Sequence, residues 1–399
     1  MEKVVTFSIQ DSAVNVDTVV IGNKRPASDE EVNEVIGSKP TRARPNWLDS
    51  AVAPPIVQKS LVKMALPKVK TVLSTGLRPE DPTVVMECHN TEDAQSSVRA
   101  KLVVTRQGTP IWMDYLSSAI LVMTSNAEFC AAGCEDGSIH VYSPAGRRIL
   151  PAIVLESTPV ILQSHHQWLV CITATGLLYS WDVLNVKSRI DGVSIAPVLQ
   201  VAQLETDKTH KAPSIKNIRI QKSGLPILLT SSNQAFVYHT DMRVWLRISD
   251  AWYIISEFWG SARQAGDHPL AWLSSRMSAY GVDRSMHMLL DVSAATKVVT
   301  LSHIEMQLAV AALLDSPTEY KDWMIYYARR LSEENAKNKV EELCKWLTGP
   351  PYAPFPDIVK WEPTILGKIS KKELLAEILP LLAKNRQLQR TVAEFTSCL

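Results

Sequence analysis

Residues Gly133–Asp182 read GCEDGSIHVYSPAGRRILPAIVLESTPVILQSHHQWLVCITATGLLYSWD, and this stretch decides the fold. Two strand-turn units lie inside it. The first is Cys134-Glu135-Asp136-Gly137-Ser138-Ile139-His140-Val141-Tyr142; the second is Thr175-Gly176-Leu177-Leu178-Tyr179-Ser180-Trp181-Asp182. Each carries alternating apolar positions into a terminal aromatic residue, the pattern of a half-buried strand. Asp136-Gly137 is a hairpin signal, because both residue types tolerate positive φ. A Trp-Asp ending marks a propeller blade. Blades present rigid loops and edges, so the stretch predicts a binding module.

Outward from it, short apolar or alternating runs recur: Val84–Met86, Ala100–Thr105, Ile120–Met123, Trp168–Thr173, Ile227–Thr230 and Ala235–His239. Gly, Pro, Asn and Ser punctuate them. Three segments end alike, HVYSPAGRR, YSWDVLNVK and FVYHTDMRVW, and Tyr142 to Trp181 spans about 39 residues, close to one blade period. Three or four blade-like units are expected, near the lower limit for a closed propeller. An open sheet of this kind keeps an edge that needs cover.

From residue 251 the period changes. Ser302–Glu305, Ser316–Glu319 and Ser370–Glu373 have capping-box spacing and predict three helix starts. Tyr320, Trp323, Met324, Tyr327 and Leu331 form one apolar helix face. Gly349-Pro350 ends a helix carrying Leu343, Trp346 and Leu347, and Pro380 must kink or divide the last one. Trp245, Trp252 and Trp259, seven apart, stand where strands give way to helices and predict a glue between the two regions. Residues 1–80 differ from both. Basic and acidic clusters alternate there with prolines, a composition suited to a linker or docking segment, although Val57–Leu73 alternates enough to pair as a strand. The predicted fold class is α+β: WD-repeat-like antiparallel blades of a partial propeller over 81–250, then α-helical hairpins over 251–399.

The chain has 399 residues, 42 Lys plus Arg against 41 Asp plus Glu. That balance argues against whole-chain affinity for DNA. The start, Met1–Asp11, lacks the apolar core of a signal peptide, and no uncharged apolar run is long enough to span a bilayer. Six scattered cysteines without a CxxC pair suggest free thiols in a reducing compartment. Cys130, Cys134, His140, His165 and His166 invite a metal reading, and the Cys-x3-Cys spacing of Cys130 and Cys134 is loosely zinc-like. Buried structural thiols are the better reading, because free cysteine behaves as a small hydrophobe. Neither a nucleophile elbow, a His-Glu-x-x-His motif nor a phosphate-cradling glycine loop is present, so no catalytic, cofactor or metal residue is assigned.

Two sites remain. Trp181-Asp182 is a core tryptophan with a locally bonded aspartate on the bland reading, and a subunit interface at a blade edge on the sharper one. Arg147-Arg148 is a basic turn, either solvated and locally salt-bridged or in contact with an acidic partner.

The motifs also carry a family resemblance. Pro144-Ala145-Gly146-Arg147-Arg148-Ile149-Leu150-Pro151 with Leu178-Tyr179-Ser180-Trp181-Asp182-Val183, Trp112-Met113-Asp114-Tyr115, Ser316–Trp323, and Ile365–Ser370 with Asn385–Arg390 resemble the C-terminal domain of the HIRA/Hir histone chaperone family. The resemblance covers roughly residues 85–395. It implies a non-enzymatic nuclear subunit of a histone chaperone complex, acting in replication-independent nucleosome assembly, chromatin organisation and transcriptional repression. Its implied partners are other subunits of the Hir complex, core histones directly or indirectly, and further copies of itself, a trimer by the family's habit, with no membrane and no specific DNA sequence. Family members carry a complete WD-repeat propeller N-terminal to this region, which these residues do not include. The alternative reading is a scaffold of a cytoplasmic coat, since coats also join propeller-like sheets to helical hairpins.

Overall fold

A computed structural model describes residues 62–77, 81–91, 98–206, 212–259, 268–278, 292–350 and 361–397. Of the docking segment expected over residues 1–80, residues 1–61 and 78–80 lie outside the described residues. Four four-stranded antiparallel sheets follow one another along the chain. Sheet A is β1 (Val72–Gly76), β2 (Val84–Asn90), β3 (Ala100–Arg106) and β4 (Thr109–Leu116). Sheet B is β5 (Ile120–Ser125), β6 (Cys130–Cys134), β7 (Ser138–Tyr142) and β8 (Ile153–Val154). Sheet C is β9 (Pro159–His165), β10 (Trp168–Thr173), β11 (Leu177–Asp182) and β12 (Lys187–Ser194). Sheet D is β13 (Ile215–Ile220), β14 (Pro226–Thr230), β15 (Ala235–His239) and β16 (Val244–Ser249). The three aromatic-ended segments are the third strands β7, β11 and β15 running into the turn before the fourth strand. Among the described residues the blades are therefore four, with meander order and no crossover.

The chain divides into two compact units, Met1–Lys216 with Lys222–Leu225, and Asn217–Gln221 with Pro226–Leu399. In the first unit, two cores join successive blades. Met86, Cys88, Leu102 and Val104 of sheet A bury against Ile120, Cys130, Ala132, Cys134 and Tyr142 of sheet B. Ala131, Ile139 and Val141 of sheet B, with Phe129 just before β6, bury against Leu162, Leu169, Cys171 and Val183 around sheet C. β6 supplies both cores because its five residues are small and all buried, with side chains alternating between the two faces. Each fully buried Leu, Ile or Phe contributes about 1.5–3 kcal/mol. The strands begin earlier than residue 81: β1 pairs with β2 in register Val72↔His89 to Gly76↔Val85. The segment before β1 is also bound to the first unit. Val62 and Met64 are buried, and the Met64 N–H donates to the Ala174 carbonyl at 2.7 Å.

Strands give way to helices at residue 250, as β16 ends at Ser249, but the second compact unit spans that transition. Ile227, Leu229, Ala235, Val237 and Ile248 of sheet D share one core with helical residues, so the fourth blade folds with the helices. These helices are α2 (Pro269–Ser278), α3 (Val292–Leu313), α4 (Pro317–Glu333), α5 (Lys337–Thr348), α6 (Lys371–Leu382) and α7 (Gln389–Thr396); α1 (Ala196–Thr206) interrupts the β region in the first unit. Two of the three capping boxes act otherwise than the spacing predicts. Ser302–Glu305 lies inside α3, where Glu305 accepts from the Tyr327 hydroxyl at 3.0 Å and the Lys339 ammonium at 2.6 Å. Helix continuity there comes from tertiary burial of Ile304, Leu308 and Ala311, which outweighs the cap signal. Ser316 does precede α4, but Glu319 accepts from the backbone N–H groups of Leu270 and Ala271, so its carboxylate caps α2 instead. Ser370 caps α6, accepting from the Glu373 N–H. Gly349 ends α5 with φ +78°, whereas α6 runs through Pro380 to Leu382, so the break before α7 falls after the proline and not at it. Of the tryptophan trio, Trp245 meets Tyr238 edge-on and Trp259 packs against the shared core, but Trp252 is 46 % exposed and glues nothing. The period of seven fails because Trp252 belongs to a 3₁₀ turn, Ala251–Ile255, with three residues per turn.

Candidate protein-interaction site

The β7–β8 turn holds Arg147 and Arg148. Gly146 takes φ +89°, and a Cβ there would stand 2.5 Å from the Trp112 ring, so only glycine lets the turn lie flat on the indole of β4. The Trp112 ring N–H donates to the Pro144 carbonyl at 3.1 Å. The ring also leans on Tyr142, with centroids 5.3 Å apart. Asp114, two residues along β4 on the same face, accepts from the Arg148 guanidinium at 2.7 Å and 3.1 Å and from the Tyr142 hydroxyl at 2.9 Å. Burial pulls the Asp114 carboxyl upward, but the bonds from Arg148, Tyr142 and its neighbour's backbone hold it below its ordinary value. Burial, with Asp114 beside it, pushes the Tyr142 phenol up. Arg148 is thus a locally paired side chain. Arg147 is exposed and, among the described residues, makes no ion pair; its backbone closes the turn with Ser143. The two motifs Trp112-Met113-Asp114-Tyr115 and Gly146-Arg147-Arg148, 34 residues apart at Asp114 and Arg148, are one structural device.

Trp181 and Asp182 end β11. Trp181 stacks on Tyr179 with centroids 5.2 Å apart and packs, partly buried, against the core between sheets B and C. Asp182 points to the other face and is buried; its carboxylate accepts from the Asn185 N–H at 3.0 Å and the Asn185 side-chain amide at 2.9 Å. Asp182 therefore shapes the β11–β12 turn. That turn exposes Leu184 and Val186, the latter 69 % exposed at φ +52°. A β-branched residue in the left-handed region is strained. Sequence reading missed Glu156, whose carboxylate gathers the hydroxyls of Thr173, Thr175 and Tyr179 at 2.6, 2.9 and 2.7 Å and braces the other end of sheet C. No local motif announces it, since its partners lie 17 to 23 residues on. Burial raises the Glu156 carboxyl, the three hydroxyls lower it, and the balance is below its ordinary value.

The loosely zinc-like residues fall apart in space. Cys130 and Cys134 are buried at the two ends of β6, and burial pushes both thiols up to about 12. His140 lies in β7 beside Ser138, while His165 and His166 stand at the β9–β10 turn of the next sheet. Among the described residues no group of three or more His, Cys, Asp or Glu could hold a metal ion. Asp136-Gly137 makes the β6–β7 turn as predicted, with one difference: Gly137 alone takes positive φ, and Asp136 instead accepts from the Ser138 N–H.

A family model described as "Hira: TUP1-like enhancer of split" matches residues 146–347, just over half of the 399, beginning at the glycine that lies on Trp112. The chain belongs to the Hira family. It is 31 % identical over 383 residues to Protein hir1 of Aspergillus terreus, covering 82 % of this chain and 38 % of that protein. It is 33 % identical over 309 residues to the histone transcription regulator slm9 of Schizosaccharomyces pombe, covering 72 % of this chain and 38 % of that protein. The chain thus spans about two fifths of the length of these curated relatives. The crystal structure of HIRA(644-1017) superposes with a TM-score of 0.58 at 25 % identity, over 84 % of this chain and 97 % of that one. This Hira-family region therefore keeps the resemblance expected from the turn motifs, with blades followed by helices.

Proposed function

We propose that this chain is a non-enzymatic subunit of a nuclear histone chaperone complex, acting in nucleosome assembly outside replication and in transcriptional repression. The observation that carries the reading is the family match beginning at Gly146, the residue around which the Trp112–Asp114–Arg148 device is built. A framework whose charged and aromatic groups are spent on holding turns rigid suits binding, because rigid turns lose little entropy on association. Within this role the β11–β12 turn is the self-association surface: Trp181 and Asp182 set its shape, and Leu184 and Val186 are its contacting side chains. Arg147, steadied by Arg148, meets a second subunit of the complex.

Affinity purification of the chain from nuclei, followed by mass spectrometry, should recover other histone chaperone subunits and core histones. Recovery only from cytosol or membranes, without histones, sinks the reading. In light scattering, Trp181→Ala with Asp182→Ala should lower the oligomer mass. Because that pair also supports the fold, Leu184→Glu with Val186→Glu should give the same loss while keeping the wild-type melting curve. Wild-type mass in the second variant removes this turn as the interface.

A further inference from the structure

We propose that the free edge of β4 takes up an extended segment of a partner protein in which acidic residues alternate with apolar ones. β4 is an edge strand. It pairs with β3, from Ala100↔Leu116 to Arg106↔Thr109, and among the described residues no strand pairs with its other side. The strand period divides it into two rows. Trp112 and Asp114 face sheet B and are engaged there. Ile111, Met113 and Tyr115 occupy the opposite row and are 51, 48 and 52 % exposed. Natural sheets rarely leave large apolar side chains in a row on an edge strand unless something covers them.

The charge around this edge selects the partner. Lys101 stands directly across from Tyr115 on β3, on the face of the apolar row, so it adds to the positive charge of the edge without meeting the partner's acidic row. Arg147 is exposed in the turn that lies against Trp112, on the other side of the strand. The nearby acids are already engaged: Asp114 by Arg148 and Tyr142, and Asp81 by Arg106 and Thr83. Glu87 lies further in on β2, with His89 at 3.8 Å. The unspent charge flanking the edge is therefore positive. A strand added to β4 alternates in the same way as β4 itself. Its apolar residues extend the row of Ile111, Met113 and Tyr115. Its intervening acidic residues fall on the side of the Ser143–Arg148 turn, within reach of Arg147. This deepens the reading of Arg147 as a partner contact and rests on it.

The test uses the full chain and two labelled peptides of about eight residues, long enough for one strand. One repeats Glu-Val-Asp-Leu; the other repeats Lys-Val-Arg-Leu. By fluorescence anisotropy the acidic peptide should bind at least about tenfold more tightly than the basic one. Met113→Glu and Arg147→Glu should each weaken it about tenfold, and hydrogen exchange should slow across 109–116 when it is bound. Both side chains are at the surface, so the variants should melt like the wild type. No binding of the acidic peptide, equal binding of the two, or binding indifferent to Met113→Glu each overturns the proposal. If peptide binding fails while nuclear purification still brings down histone chaperone subunits, this inference falls and the function above stands. If the purification fails and the peptide binds, the reverse holds.

Discussion

The β7–β8 turn and the β11–β12 turn occupy the same place in successive blades, yet they are held in different ways. The first is held by its neighbour: Trp112 and Asp114 reach it from sheet A, and Gly146 exists to let the indole come close. The second is held by itself, through Asp182 bonding Asn185 three residues on. The first turn therefore ties two blades together and leaves one cation, Arg147, for a partner. The second ties only its own strands and leaves apolar side chains, Leu184 and Val186, in water. The first turn is chemically suited to an acidic partner and the second to an apolar one.

The comparison breaks most readily at Trp112. Trp112→Ala removes a half-buried indole, its hydrogen bond and the surface under Gly146, and should cost about 3 kcal/mol in urea unfolding. A cost below about 1 kcal/mol would mean that the first turn holds itself, like the second. Next comes the pair of aspartates. Asp114→Ala strands the Tyr142 hydroxyl as well as Arg148 and should cost about 2 kcal/mol, against about 1 kcal/mol for Asp182→Ala, which frees only Asn185. Equal costs would erase the distinction. A stabilising change sharpens it: Val186→Gly relieves the strained φ of +52° and should raise stability by about 1 kcal/mol while weakening self-association. A melting point unchanged or lowered would show that Val186 is not strained.

The smallest expected effect is on pH. Asp114 and Glu156 are both held below their ordinary values in the fold. Their stabilisation is complete above the unfolded value of about 4 and is lost as pH falls through the lower folded value. Unfolding midpoints should therefore drop between about pH 5 and pH 3, and Asp114→Asn with Glu156→Gln should flatten that slope. A slope unchanged in the double variant would assign the loss to other carboxylates.

The same contrast explains what was legible. Interactions within a few residues could be read: Gly137 at a turn, the Ser370 cap, Gly349 as a stop and the aromatic ends of β7, β11 and β15. Ser302–Glu305 misled because a capping box is a local signal, and α3 is extended through it by a core to which distant helices contribute. Glu319 shows the same limit, since its cap is spent on α2, about 49 residues upstream.

By itself, then, the sequence determined that antiparallel blades precede helices and that their turns carry the distinctive residues, because alternation, turn residues and helical period are short-range properties of the chain. Only the tertiary structure decided that Arg148 belongs to Asp114 and leaves Arg147 over, that the fourth sheet folds with the helices, and that β4 ends a sheet with three apolar side chains in water. Each of these depends on which surfaces meet across tens of residues, and hydrophobic burial, being non-directional, is not written in any local pattern.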